Sequence, residues 1–374
     1  MGINMDRMIR LSKSVIGIEE ISAVEKVLQK EFLGMGEEVG LFERELSAFI
    51  GRPVVCVNTG TSALQLALQA IGLRSGDEVL VQSLTYVSSF QAISATGAVP
   101  IACEILNDSL NIDLNDAEAR LTKKTKAIMP VHYSGSPGNL DAVYNFARKN
   151  GLRVIEDAAH AFGSIYKDQL IGHYGDVVCF SFDGIKNITC GEGGAIASGD
   201  SVLINKIKDL RLLGVMKDSD YRYQNKRNWD FDVVEQGWRY HMSNIMAAIG
   251  RVQLNKFGTF KEKRQKLGSL YTLYLTDVPS LKLLNIDYTT TVPHIFVVLI
   301  TNGRRDEIKS KMEELGIQTG LHYKPNHLLS YYKQGEFPLT EKVYSELITL
   351  PLHPDLLDSD VLFICDTLKT FLNT

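Results

Sequence analysis

The chain has 374 residues, 45% of them hydrophobic, and 40 basic against 44 acidic side chains give a formal net charge of -4. That length can fill a large core and two domains of unequal size. The near-neutral balance gives nucleic acid no basic face to hold, and no run of 18 apolar residues is present to span a membrane.

The first residues, MGINMDRMIRLSKSVIG, carry charge but no apolar stretch of signal-peptide length, and Asp6 stands where a myristoylation signal wants Ser or Thr. Five cysteines, Cys56, Cys103, Cys179, Cys190 and Cys365, are odd in number and widely spaced, with no CxxC pair. They read as free thiols of a reducing, cytoplasmic compartment.

Residues 17–32 are predicted helical from Ile18, Ile21, Val24, Val27 and Leu28. Gly34 and Gly36 break this helix, and a second follows with Val39, Phe42, Leu46 and Phe49 on one face. VVCV at 54–57 is a short strand, Asn58-Thr59-Gly60-Thr61 a turn, and SALQLALQAIGL the next helix. Strands and helices then alternate: GDEVLVQSL, YVSSFQAISATG, AVPIACEI, LNDAEARLTKKT, TKAIMPVHY, LDAVYNFARKNG and LRVIEDAA, with DVVCFSF and GAIASG as two further strands. The alternation predicts an α/β fold with a mostly parallel sheet, in which ligands sit at the carboxyl ends of the strands.

Long helices are expected at 201–213 and 243–264. The aromatic and charged segment between them is too long and too poorly periodic for a plain connection. PHIFVVLI, RRDEIKSKMEELG and VLFICDTLKTFL then build a smaller α+β unit. The predicted division is a large domain over 1–255 and a small C-terminal domain over 256–374.

Asp157 ends the strand RVIED, where a carboxylate can pair with the protonated ring nitrogen of pyridoxal phosphate. Lys186 follows the apolar strand CFSF and precedes GEGG, and its amine can form an imine and act as a general base. Gly60, Thr61 and Ser62 open a helix after a strand and are placed to hold a phosphate, with Ser181 as a further hydroxyl. Tyr86, after the next strand, can cover a flat ring. The eight histidines show no HExxH or zinc-like spacing, so no metal is expected.

VIEDAAHAFGS, SFDGIKNITCGEGGAI and GWRYHMSNIMAAIG, in this order, resemble the DegT/DnrJ/EryC1/StrS family of sugar-nucleotide aminotransferases. GMGEEVGLFERELSAF, GIQTGLHYKPNH and PLHP extend the resemblance over nearly the whole chain. It implies the pyridoxal-phosphate-dependent transferase fold of type I, with pyridoxamine phosphate as the intermediate cofactor form. It further implies Lys186 as the lysine that carries the cofactor, Asp157 on its pyridine nitrogen and His160 at its ring oxygen. Thr61, Ser62 and Ser181 match phosphate contacts, and Tyr86 the stacking aromatic.

The implied assembly is a homodimer with shared active sites. Its cofactor and substrate contacts include Arg239 and His241 from the GWRYHM segment, where the family often has asparagine and arginine. Met35, Lys217, Arg239, His322, Tyr323 and His327 are the implied substrate residues. The implied reaction takes an amino group from glutamate to a nucleotide-linked ketosugar, first choice a dTDP-4-keto-6-deoxyhexose aminated at carbon 4, with the product bound for surface polysaccharide such as lipopolysaccharide O-antigen. Amination at carbon 3, a GDP- or UDP-linked sugar, and a non-catalytic protein of the same fold are the alternatives. Related dehydratases replace the lysine by histidine, and Lys186 argues against them.

Overall fold

Short apolar runs, buried on both faces, build the central sheet: β1 (Val54–Val57), β2 (Glu78–Gln82), β3 (Val99–Cys103), β4 (Thr125–Met129) and β5 (Arg153–Asp157). A two-stranded hairpin follows, β6 (Ile165–Tyr166) with β7 (Gln169–Leu170), and then β8 (Val177–Ser181) and β9 (Gly194–Ala197) complete the sheet. The computed structural model describes residues 8–227 and 229–373. The signal-peptide and myristoylation readings fall mainly on residues 1–7, outside the described residues.

The sheet order is β1-β9-β8-β5-β4-β2-β3. β9 runs antiparallel to both neighbours, and the other six strands share one direction. Side chains alternate across the sheet as the pleat requires. Val55, Val57, Val79, Val81, Met129, Ile155 and Cys179 fill the core on one face. Val54, Cys56, Val178 and Phe180 join a second core, and Leu80, Ile128 and Val154 a third. Each fully buried aliphatic side chain contributes roughly 1.5–3 kcal/mol.

The predicted helix over LNDAEARLTKKT is short, Leu114–Ala119. Beyond it the Thr122 amide bonds Thr125 Oγ1 at 3.0 Å, and the Thr122 hydroxyl reaches Glu78 Oε2 at 2.5 Å. Such local side-chain bonds compete with helical ones.

The helix Asn244–Leu275 is one element of 32 residues, longer than the sequence pattern suggests, and it runs through position 255/256. Its later residues Leu267, Tyr271 and Leu275 pack into the core of the second sheet, β10 (Leu281–Leu283), β11 (Phe296–Ile300) and β12 (Leu347–Leu350), all antiparallel. Phe296, Val298 and Ile300 face that core. Val297 and Leu299 join a cluster holding Leu84 and Tyr133 of the large domain. The small sheet is therefore buried on both faces, and this brings residues 294 and 322–327 to the carboxyl edge of the large sheet. No described helix is long and apolar enough to cross a membrane.

Candidate active site

Four strand ends meet at one edge. β1 delivers the turn Asn58–Thr61, β2 delivers Ser83–Tyr86, β5 ends in Asp157, and β8 ends in Ser181 just before Lys186. The register pairs Asp157 with Cys179, and Ser181 with Gly194.

Asp157 is buried; it accepts Ser89 Oγ at 2.7 Å and the Ala159 amide at 3.2 Å. Burial pushes its carboxyl above the usual range, against the pull of these two bonds and of Lys186. No basic side chain lies within ion-pair distance of it among the described residues. A buried carboxylate in this state is suited to a cation that arrives with a ligand, such as a protonated pyridine.

Lys186 is partly buried, and its Nζ lies 3.3 Å from His294 Nε2. Burial pushes the amine down to about 8, and the Arg264 guanidinium works the same way, while Asp183 and Asp157 oppose it. His160 Nε2 lies 2.9 Å from the Tyr323 hydroxyl, and its ring centroid is 4.6 Å from that of His294. Burial first, and then Lys186, hold both imidazoles well below their ordinary value, so both rings are neutral. His322 is pushed down to about 4 by burial and Lys186; its Nδ1 lies 2.9 Å from Thr349 Oγ1. The Tyr133 hydroxyl bonds the His322 carbonyl.

The turn after β1 has the features of an anion cradle. Amides in the first turn of a helix have no acceptor within it. Thr59 Oγ1 takes the Ser62 amide at 3.0 Å, which leaves those of Gly60 and Thr61 to an outside group. A Cβ at Gly60 would stand 2.7 Å from Ser181 Cβ, so only glycine lets the turn close against β8. Thr61 Oγ1 bonds Ser88 Oγ at 2.9 Å. Ser62 is buried, and its hydroxyl serves the turn itself, 2.7 Å from Asn58 Oδ1. Tyr86 is exposed at the lip, its ring centroid 5.4 Å from that of Tyr323. A buried acid with no basic side chain at ion-pair distance among the described residues, a lysine with a lowered pKa and an anion cradle on one edge fit pyridoxal phosphate, which offers a ring nitrogen, an aldehyde carbon and a phosphate.

Other sequence candidates lie elsewhere. Met35 is fully buried in the core with Val39 and Phe42, where it packs and faces no opening. His327 is buried, with Nδ1 2.7 Å from Ser83 Oγ and Nε2 3.2 Å from Glu341 Oε1, so its ring ties the loop after β2 to the helix Pro338–Glu346. Lys217 is exposed and starts the short helix Asp218–Arg222. Arg239 and His241 line a separate cavity with Asp218, Arg222, Arg227 and Trp229. Among the described residues, neither side chain is hydrogen-bonded to Lys186, Asp157 or Ser181 of the same chain. Sequence reasoning missed His294, Ser88, Ser89 and Arg264, which no motif marks.

The DegT/DnrJ/EryC1/StrS aminotransferase family profile matches residues 14–369. The spore coat polysaccharide biosynthesis protein SpsC of Bacillus subtilis (strain 168) is 36% identical over 363 residues, 94% of this chain and 93% of that protein. The aminotransferase TlmJ from Streptoalloteichus hindustanus superimposes with a TM-score of 0.91 at 30% identity, covering 98% of this chain and 99% of that one. The PLP-form of the putative sugar aminotransferase Spr1654 from Streptococcus pneumoniae does so with a TM-score of 0.91 at 28% identity, covering 98% and 99%. The chain belongs to the DegT/DnrJ/EryC1/StrS aminotransferase family, and is by that membership a pyridoxal-phosphate-dependent aminotransferase of nucleotide sugars.

Proposed function

We propose that the protein moves an amino group from glutamate to carbon 4 of a dTDP-linked 4-keto-6-deoxyhexose, and that its product feeds surface polysaccharide. The observation that carries the reaction class is the meeting of Lys186, Asp157 and the Gly60–Thr61 cradle on one sheet edge. The likeness to a relative named for spore coat polysaccharide biosynthesis supports the destination.

Pyridoxal phosphate, when bound, supplies an electrophilic carbon for the donor amine and a cationic ring that accepts the electron pair of a broken C–H bond. Asp157 keeps the proton on the ring nitrogen. A carboxylate buried with one hydroxyl and one amide gains strongly from that partner, and a charge-assisted bond is worth about 1.5–3 kcal/mol. Lys186, with its amine held near 8, is deprotonated often enough at neutral pH to take a proton from carbon and return it. The amides of Gly60 and Thr61 and the hydroxyls of Thr61 and Ser181 hold the phosphate. His160, fixed by Tyr323, stays neutral and can face the ring oxygen without adding charge.

The site is further proposed to be completed by a second copy of the chain, in the cytoplasm. Arg222, Arg227, Arg239 and His241 gather at one cavity whose lining does not include their own Lys186, where they suit an anionic sugar diphosphate in the partner's site. Ile16, Ile18, Ile21 and Leu28 form an exposed apolar face that a partner would cover.

The test is turnover of a panel of dTDP-, UDP- and GDP-linked ketosugars with glutamate, with the amine position assigned by NMR. A 4-amino product from the dTDP sugar supports the proposal. Amination at carbon 3, or turnover confined to another nucleotide, replaces the substrate. Failure of borohydride to fix the cofactor to the Lys186 peptide overturns the reaction itself.

A further inference from the structure

We propose that His294 is the dock of the free Lys186 amine: Nε2 accepts a hydrogen bond from Nζ whenever that amine is not joined to cofactor, and Arg264 holds the histidine in place. The inference rests on the reading of Lys186 as the reactive lysine. It adds a residue that the sequence motifs do not include.

The geometry has three parts. His294 is buried, and its Nε2 lies 3.3 Å from Lys186 Nζ while Nδ1 has no partner. Among the described residues the lysine is thus the one hydrogen-bond partner of the ring. Second, the backbone of His294 is held from behind. Arg264 Nη1 donates to the carbonyls of Pro293 and His294, both at 3.3 Å, and to that of Leu352 at 3.5 Å. Third, Arg264 is itself fully buried on the long helix, and among the described residues its hydrogen bonds all go to carbonyls. A guanidinium in that setting is costly, and here it fixes the strand entry that carries His294.

The surroundings decide what the ring can do. Lys186 faces the carboxylates of Asp183 and Asp157, the guanidinium of Arg264 and the imidazoles of His160, His294 and His322. Burial and the two nearby cations keep His294 neutral. A neutral imidazole beside an ammonium can accept a hydrogen bond and bring no competing charge. In each half of the reaction the lysine takes up a proton from carbon and becomes an ammonium; no bond to His294 forms beyond the hydrogen bond. A docked amine stays oriented toward the reacting carbon instead of turning to solvent.

The experiment reads the lysine directly. The full chain, stripped of small molecules or loaded with pyridoxamine phosphate, is labelled with methyl acetimidate between pH 5 and 10. The modified Lys186 peptide is then quantified by mass spectrometry. The wild-type midpoint is expected near 8 in the stripped chain. An acceptor bonded to the ammonium favours the charged form, so His294→Leu lowers the midpoint, by about one pH unit or more. His294→Gln offers a carboxamide oxygen at similar reach and restores most of it. Should the leucine variant fail to fold, His294→Asn, whose shorter side chain falls short of the amine, carries the same test. An unmoved or raised midpoint in a folded variant overturns the proposal, and so does a shift in His294→Gln as large as in the apolar variant. If Lys186 is not the cofactor lysine, borohydride labelling fails, while this titration still reads the hydrogen bond.

Discussion

Lys186 is an ammonium that folding removes in part from water without placing a carboxylate at ion-pair distance among the described residues. The consequence for stability has a definite sign. Its pKa is about 8 in the cofactor-free fold against 10.5 as the ordinary value. Between these values the unfolded chain binds more protons, so stability rises with pH across that window. Below pH 8 the full penalty applies, at most about 3 kcal/mol by the usual conversion. Lys186→Met keeps length and removes the charge. Thermal melting of the cofactor-free variant at pH 7 should show a midpoint a few degrees above wild type, and the gain should shrink toward pH 10. A lower midpoint at pH 7 would refute this account. The residue itself was legible, because a lysine between an apolar strand and GEGG is unusual. His294 was not, because a lone histidine after a proline carries no periodic or spacing signal, and only the packing of β11 against the large domain brings it to the lysine.

The helix Glu37–Ile50, the helix Ser201–Leu210 and the segment after Asp218–Arg222 are tied by one buried polar cluster. Arg211 bonds Glu43, donates to the Cys56 carbonyl at 2.6 Å and reaches the Tyr223 hydroxyl at 2.7 Å. That hydroxyl in turn bonds Glu43 Oε2 at 2.6 Å. Burial works against the Arg211 charge, but Glu43, Tyr223 and Cys56 together more than offset it and hold the guanidinium above its ordinary value. Removing one side of such a pair strands the other charge. Glu43→Gln should therefore cost about 3 kcal/mol in urea unfolding and speed proteolysis of residues 224–234; unchanged unfolding would show that the cluster is dispensable. No sequence rule reveals this cluster, since Glu43 and Arg211 are 168 residues apart. The helices around it were legible from their 3.6-residue period and the strands as short apolar runs between them. Leu114–Ala119 ended early because threonine side chains drew the backbone out of the helix, and β10 was too short to leave a pattern.

Two copies of the molecule are needed for the proposed site, and mixing tests this. A Lys186→Ala chain and a chain with Arg239→Ala and His241→Ala should each be nearly inactive as homodimers. A mixed dimer contains one site with native residues from both chains, so activity should return on mixing. No recovery, with subunit exchange demonstrated, would place each site within a single chain. The long helix Asn244–Leu275 bears on the chain as a whole in another way. Its first turns belong to the core beneath the large sheet, through Ala247 and Phe257, and its last turns to the core of the small sheet, through Leu267 and Leu275. Residues near the start of the described chain repeat the pattern, since Ile9 pairs with Ile317 while Ser14 bonds the Gly184 carbonyl beside Lys186. Neither half owns a complete interior. A cut between residues 255 and 256 would sever this helix and divide its packing, so apolar side chains are expected to be exposed on both fragments, which separate expression of the two would test.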